Sequence, residues 1–283
     1  MNNDYIKNTG YGGNAMASRA TEPTAVPAIS FDLKLARELA LASAQAYTLA
    51  GVDNMQVIYD SVTDSSAILV ELPDSFRVAF RGTKDVRNWL TDAEFGKVPV
   101  GHDVRVHAGF LRATDAITPL IWEKIGHHAL CQKSLVFGGH SLGGAVAVQS
   151  AYEMRQAGYT VDAVYTFGSP RVGNAGWRDA YNKVLGHCTF RIACVGDLVP
   201  LLPGIFTTPF DGYRHVGREV FLRRDRYELE PSHLLEMWND GVDASSALKR
   251  LDVDYILQRH SITADYIETL DAIAAKQAED LAE

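Results

Sequence analysis

Cysteine is scarce in this chain: Cys131, Cys188 and Cys194 are the only three in 283 residues. An odd number forms no closed disulfide framework, and the spacing is not that of a zinc site. Cys188 and Cys194 lie in or beside an apolar run, where cysteine serves as a small buried hydrophobe. A reducing compartment fits this usage, and so does export of a chain without disulfides. Long apolar runs are missing too, so no transmembrane helix is expected. The first 28 residues are polar, contain Gly and Pro, and lack the apolar centre of a secretory signal. They read as a flexible leader ahead of one domain over residues 29–283. Positive charge is also short. A net charge of −8 argues against a nucleic-acid partner and predicts weak attraction to anionic membranes.

What is present is ordinary for a globular α/β domain. Apolar residues make up 47% and charged residues 22%, and the length supports one large core. The informative stretch is Ser134 to Val148, SLVFGGHSLGGAVAV. It opens on a short apolar run suited to a buried strand and continues, from Leu142 to about Ala157, into helix-forming residues stopped by Gly158. Between the two lies Gly139-His140-Ser141-Leu142-Gly143, which is G-x-S-x-G. A serine at the apex of a sharp strand-to-helix bend has a strained backbone, so the residues two positions either side must lack a Cβ. The bend aims Ser141 at the N-terminus of the next helix, where free N–H groups and the dipole favour an oxyanion. Leu142 begins that helix, and its N–H is a natural donor.

Around this bend the chain reads as follows. A helix is expected over Phe31–Ala50 with Ser30 as N-cap, then strands at Gln56–Asp60, Ala67–Leu72 and Phe76–Phe80 in antiparallel hairpins. Val86, Trp89, Leu90 and Ala93 fall on one face of a helix spanning Lys84–Phe95, which reads either as a surface helix or as a lid. A helix follows His107-Ala108-Gly109-Phe110. A strand at Val161–Phe167, a helix near Ala175–Val184 and a strand at Cys188–Val195 come after the Ser141 helix. Tyr213–Leu222 alternates like an edge strand. The remainder is mostly helical, with Ser261–Glu283 as the last helix. The alternation implies a mostly parallel sheet with crossover helices, entered through antiparallel strands.

A serine hydroxyl needs a base, and the base needs a carboxylate to orient it. On such a sheet the chain order is Ser, Asp or Glu, His. Asp197 leaves the Cys188–Val195 strand through Gly196, at the sheet's upper edge. The candidates for the base are His215, His233 and His260. His215 sits in a strand pattern and suits a structural role, whereas His260, in a loop before the last helix, is favoured.

These residues resemble the class 3 lipase family, the fungal-type triacylglycerol lipases and their bacterial relatives. The matching pieces are Phe80-Arg81-Gly82-Thr83, Asn88-Trp89-Leu90, Val106 to Phe110, Gly139 to Ala145, Thr166 to Gly173, Gly196 to Pro200 and His215-Val216-Gly217, in the family's order. The resemblance implies an α/β-hydrolase fold with helices on both faces. It implies Ser141 as nucleophile, His260 as base and later acid, Asp197 as orienting carboxylate, and Thr83 with the Leu142 N–H as oxyanion donors. Lys84–Phe95, with Val86, Trp89 and Leu90, then corresponds to a helical lid. No metal or organic cofactor is implied. The expected partner is a lipid or small ester, with transient contact at a lipid–water interface. The expected activity is acylglycerol hydrolysis; a phospholipase or soluble-ester esterase is the alternative within the class, and an inactive binding protein the alternative outside it. Two departures stand out. The tyrosine that commonly follows the family's histidine closely is here Tyr266, further along, and three cysteines cannot supply the several disulfides of many secreted fungal members.

Overall fold

A computed structural model describes residues 28–49, 54–83, 96–126, 133–203, 212–230 and 258–282. The expected lid (Val86, Trp89, Leu90), His233, Cys131 and the leader lie outside the described residues.

The first helix, α1 (Leu33–Gln45), is capped by Asp32, whose side chain accepts from the Leu35 N–H at 3.0 Å. The sequence reading placed the cap at Ser30. Asp32 wins because its carboxylate stands one residue before the helix and reaches the third N–H. Strands β1 (Met55–Asp60), β2 (Ser65–Glu71) and β3 (Ser75–Phe80) form the expected antiparallel hairpins. Strands β4 (Lys97–Gly101) and β5 (Val104–His107) form a separate two-stranded sheet that the sequence did not announce. Next come α2 (Ala108–Ile125), β6 (Ser134–His140), α3 (Leu142–Gln156), β7 (Val161–Phe167), α4 (Ala175–Leu185) and β8 (Thr189–Cys194). The described chain ends in β9 (Arg218–Leu222), β10 (Tyr227–Leu229), a π-helical turn (Ile262–Ile267) and α5 (Glu268–Asp280).

The main sheet has eight strands in the order β1-β2-β3-β6-β7-β8-β9-β10. The run from β3 to β9 is parallel, flanked by antiparallel strands at both ends. One expectation is corrected here. Tyr213–Leu222 is not one edge strand: only its second half joins the main sheet, parallel to β8, while Arg214 makes an isolated antiparallel bridge to Gly173, and β10 covers the edge. Gly217 has φ +70°, and a Cβ there would lie 2.4 Å from Thr189 Cγ2. The chain therefore turns at that glycine and meets the sheet only beyond it.

Helices cover both faces. On one, Phe110, Ile117 and Ile121 of α2, Val146 and Met154 of α3, and Trp177 and Tyr181 of α4 pack against Phe80 and Phe137. On the other, Leu39 of α1 and Tyr266, Leu270 and Ile273 of the C-terminal helices cover Tyr165, Phe190 and Ile192. Cys188 and Cys194 are buried and unbridged. The parallel strands end on one rim, which carries Ser141 after β6 and Asp197 after β8.

Candidate active site

Ser141 occupies the bend between β6 and α3 with φ 59° and ψ −131°. A non-glycine residue at positive φ is strained, and it stays there only when its surroundings hold it. Here the Ser141 N–H donates to Phe167 O at 2.9 Å and the Ser141 carbonyl accepts from the Gly144 N–H at 2.9 Å. The flanking glycines are required. A Cβ on Gly139 would stand 2.2 Å from Gly143 O, and one on Gly143 would stand 2.3 Å from Arg81 O. The same contact shows that α3 starts directly against the end of β3, where Gly82 and Thr83 follow. A Cβ on Gly82 would meet Ser141 Cβ at 2.7 Å. Thr83 is half-buried at that turn, and Leu142 opens α3.

The carboxylate and the imidazole meet directly. His260 Nδ1 donates to Asp197 Oδ2 at 2.8 Å, and Asp197 Oδ1 accepts from the Val199 N–H at 2.9 Å. An ionised carboxylate only accepts, so Nδ1 carries the proton and a neutral His260 has its free lone pair on Nε2. Asp197 and Ser141 are fully buried and His260 is 5% exposed. Ser141 Oγ and His260 Nε2 make no hydrogen bond among the described residues. Two buried polar atoms without partners are costly in a structural role and apt in a reactive one.

Four further residues belong to this site. Tyr266 donates its hydroxyl to Asp197 Oδ2. Burial, then the Asp197 charge, push the Tyr266 phenol well above its usual range, so it stays a donor. The signal was the tyrosine after His260; the π-helical turn brings it to the carboxylate despite its later place in the chain. Gly168, within the matching stretch Thr166 to Gly173, has φ +59°, and a Cβ there would lie 2.7 Å from both Asp197 Oδ2 and His260 Cε1. His140 stacks on His260 with ring centroids 4.6 Å apart. Tyr47, at the end of α1, contacts His140 Nδ1 at 2.9 Å and accepts from the Gly82 N–H at 3.0 Å. No sequence signal marked these last two beyond the variable position of G-x-S-x-G.

His215 is no rival for the base. Its Nε2 is 2.6 Å from Pro200 O, and burial followed by the nearby Arg191 and Arg171 hold it neutral. It supports the loop that carries Asp197. His107 is likewise structural: its Nδ1 caps α2 by accepting from the Gly109 and Phe110 N–H groups at 3.0 and 3.3 Å.

The arrangement is that of a hydroxyl, an imidazole and a carboxylate converging with a helix N-terminus on one buried rim. An imidazole held by a carboxylate takes a proton on its other nitrogen from a hydroxyl within reach, and a helix N-terminus stabilises negative charge beside it. The chain is also similar to known proteins. The family described as Lipase (class 3) matches residues 77–207. A secreted mono- and diacylglycerol lipase 1 of Fusarium solani is 36% identical over 149 residues, 51% of this chain and 43% of that protein. A chloroplastic phospholipase A1-Igamma2 of Arabidopsis thaliana is 31% identical over 192 residues, 51% of this chain and 36% of that protein. The chain thus spans about half the length, or less, of these relatives. Among solved structures, Lip2 lipase from Yarrowia lipolytica superposes with a TM-score of 0.60 at 20% identity, covering 77% of this chain and 92% of that one. That likeness establishes the α/β-hydrolase fold. The matched stretch holds both the Ser141 bend and Asp197, and over it the chain is similar to the class 3 lipases.

Proposed function

We propose that this chain is a serine carboxylic-ester hydrolase that cleaves acylglycerol esters through an acyl-enzyme. The observation that carries the reading is the His260–Asp197 pair with Nδ1 protonated, beside a serine held at positive φ. Ser141 Oγ attacks the ester carbonyl as its proton passes to His260 Nε2. The tetrahedral oxyanion is held by the Leu142 N–H and by Thr83. His260 then protonates the departing alcohol, and water, deprotonated by the same ring, releases the acid and restores Ser141. Asp197 stays ionised and steadies the imidazolium between steps.

The name of the Fusarium relative supports acylglycerols as substrates and the outside of the cell as the place of action. That of the Arabidopsis relative supports a second reading, hydrolysis of a phospholipid acyl ester by the same residues. Lys84–Phe95 is proposed as the lid, with Val86, Trp89 and Leu90 meeting lipid. Among the described residues no helix is long and apolar enough to cross a membrane.

Hydrolysis of emulsified diacylglycerol, phospholipid vesicles and short soluble esters, each by wild type and Ser141→Ala, tests the proposal. Wild type should prefer the emulsion, and the variant should lose about 10⁴-fold or more in kcat with its fold intact. Turnover surviving in Ser141→Ala would remove Ser141 from the role. Preference for vesicles would select the phospholipid reading.

A further inference from the structure

A second imidazole lies inside this site, and the proposed reaction gives it no task. His140, 3% exposed, lies nearly parallel to the His260 ring, the planes 26° apart. Its Nδ1 faces Tyr47 Oη at 2.9 Å, and the Gly82 N–H donates to that same oxygen at 3.0 Å. Donor counting settles the direction of the first contact. The backbone N–H occupies an acceptor position on the hydroxyl, so the phenol's own proton is free to go to His140 Nδ1. The reverse arrangement would leave the phenol proton with no acceptor among the described residues. On that count, and with burial opposing its charged form, His140 is neutral with Nδ1 bare and the proton on Nε2, which has no hydrogen-bond partner among the described residues.

We propose that Tyr47 is a positioning residue for ester hydrolysis, its single hydroxyl fixing both the oxyanion turn at Gly82-Thr83 and the neutral His140 ring on which His260 rests. This rests on the reading of Ser141, His260 and Asp197 as the reacting set. Packing transmits the constraint: a Cβ on Gly82 would meet Tyr47 Oη at 2.5 Å and Ser141 Cβ at 2.7 Å, so hydroxyl, turn and serine touch. Charge follows the same logic. When His260 becomes an imidazolium it lies on the face of an uncharged aromatic ring, a favourable contact, whereas a protonated His140 would repel it.

The groups facing His140 are His260, Tyr47 and Tyr266, the last with ring centroids 5.9 Å away. Burial raises the Tyr47 phenol to about 12 and the Tyr266 phenol well above its usual value. Burial, then the His260 charge, lowers His140 well below the ordinary histidine range.

Two measurements on the full chain test the proposal. Tyr47→Phe keeps the ring and removes the hydroxyl, orphaning the Gly82 N–H. It should lower kcat by roughly tenfold to a hundredfold while KM moves by no more than about twofold. Nitrogen-15 NMR of the wild-type imidazoles at pH 7 should show His140 with Nδ1 unprotonated and Nε2 protonated. An unchanged kcat in Tyr47→Phe overturns the proposal, and so does a His140 that is charged or protonated on Nδ1. Should the variant fail to fold, the wild-type tautomer decides the matter alone. Loss of turnover in Ser141→Ala beside an unaffected Tyr47→Phe would sink only this inference; turnover retained in Ser141→Ala would sink the reading beneath it.

Discussion

Asp197 accepts from the Val199 N–H, His260 Nδ1 and the Tyr266 hydroxyl, and it does so fully buried. A carboxylate removed from water survives ionised only with such partners. Tyr266→Phe takes one away without changing the ring's packing. We expect kcat to fall about tenfold, a charged hydrogen bond's worth. Steady-state kinetics check this, and an unchanged kcat would make Tyr266 a packing residue only. At this scale the sequence was legible where chemistry demanded a residue type in a local frame. Ser141 was marked by its glycines, and Asp197 by its place just after Gly196 at a strand's end. Tyr47 and His140 were not legible, because their meaning comes from a contact between α1 and the end of β6 that no local pattern encodes.

At the scale of elements, the glycine-flanked bend is where α3 and β3 are forced together. Gly143 of α3 abuts the backbone carbonyl of Arg81, at the foot of the Gly82-Thr83 turn. Arg81 itself is anchored by a 2.6 Å pair with Asp64, its side chain wholly buried. Gly143→Ala therefore cannot be absorbed by a rotamer change; backbone must part. The expected loss is about 10² in kcat, the cost of one misplaced oxyanion donor, with a stability loss of about 1–3 kcal/mol. Kinetics beside chemical denaturation separate the two, and full activity in this variant would show that the contact does not set the donors. The strands and helices with strong apolar runs were legible from residues alone. The weak ones were not: β4 and β5 are short and interrupted by Pro99 and Gly101, and β10 is three residues long. In Tyr213–Leu222 the alternation continued through a glycine that in fact ends it.

For the whole molecule, buried histidines set the response to acid. Burial, then Arg112, lowers His107 to about 4, and His140 and His215 are held well below the usual value of 6.5. Unfolding exposes these rings, which then bind protons below pH 6.5, so the unfolded chain gains protons that the folded chain refuses. Their contribution is complete above pH 6.5 and is lost as pH falls, by up to about 1.4 kcal/mol per pH unit for each ring. Glu153 acts in the opposite sense. Burial, then Asp115, raises its carboxyl from 4.5 to about 8, so its effect is stabilising below 4.5 and is lost as pH rises through 8. Melting temperature should peak near pH 6.5, and Glu153→Gln should remove the alkaline decline. A melting temperature that stays flat from pH 7 to pH 4.5 would contradict this account of the core.

The central claim is that Ser141 is the nucleophile and that His260 activates it. Treatment with an alkyl phosphonate ester, followed by mass spectrometry of the digested chain, reads this directly. The account predicts stoichiometric phosphonylation confined to Ser141, with loss of ester hydrolysis at the same rate, and no labelling at equal exposure in His260→Ala. Labelling at another residue, or labelling of Ser141 that proceeds undiminished in His260→Ala, would contradict it.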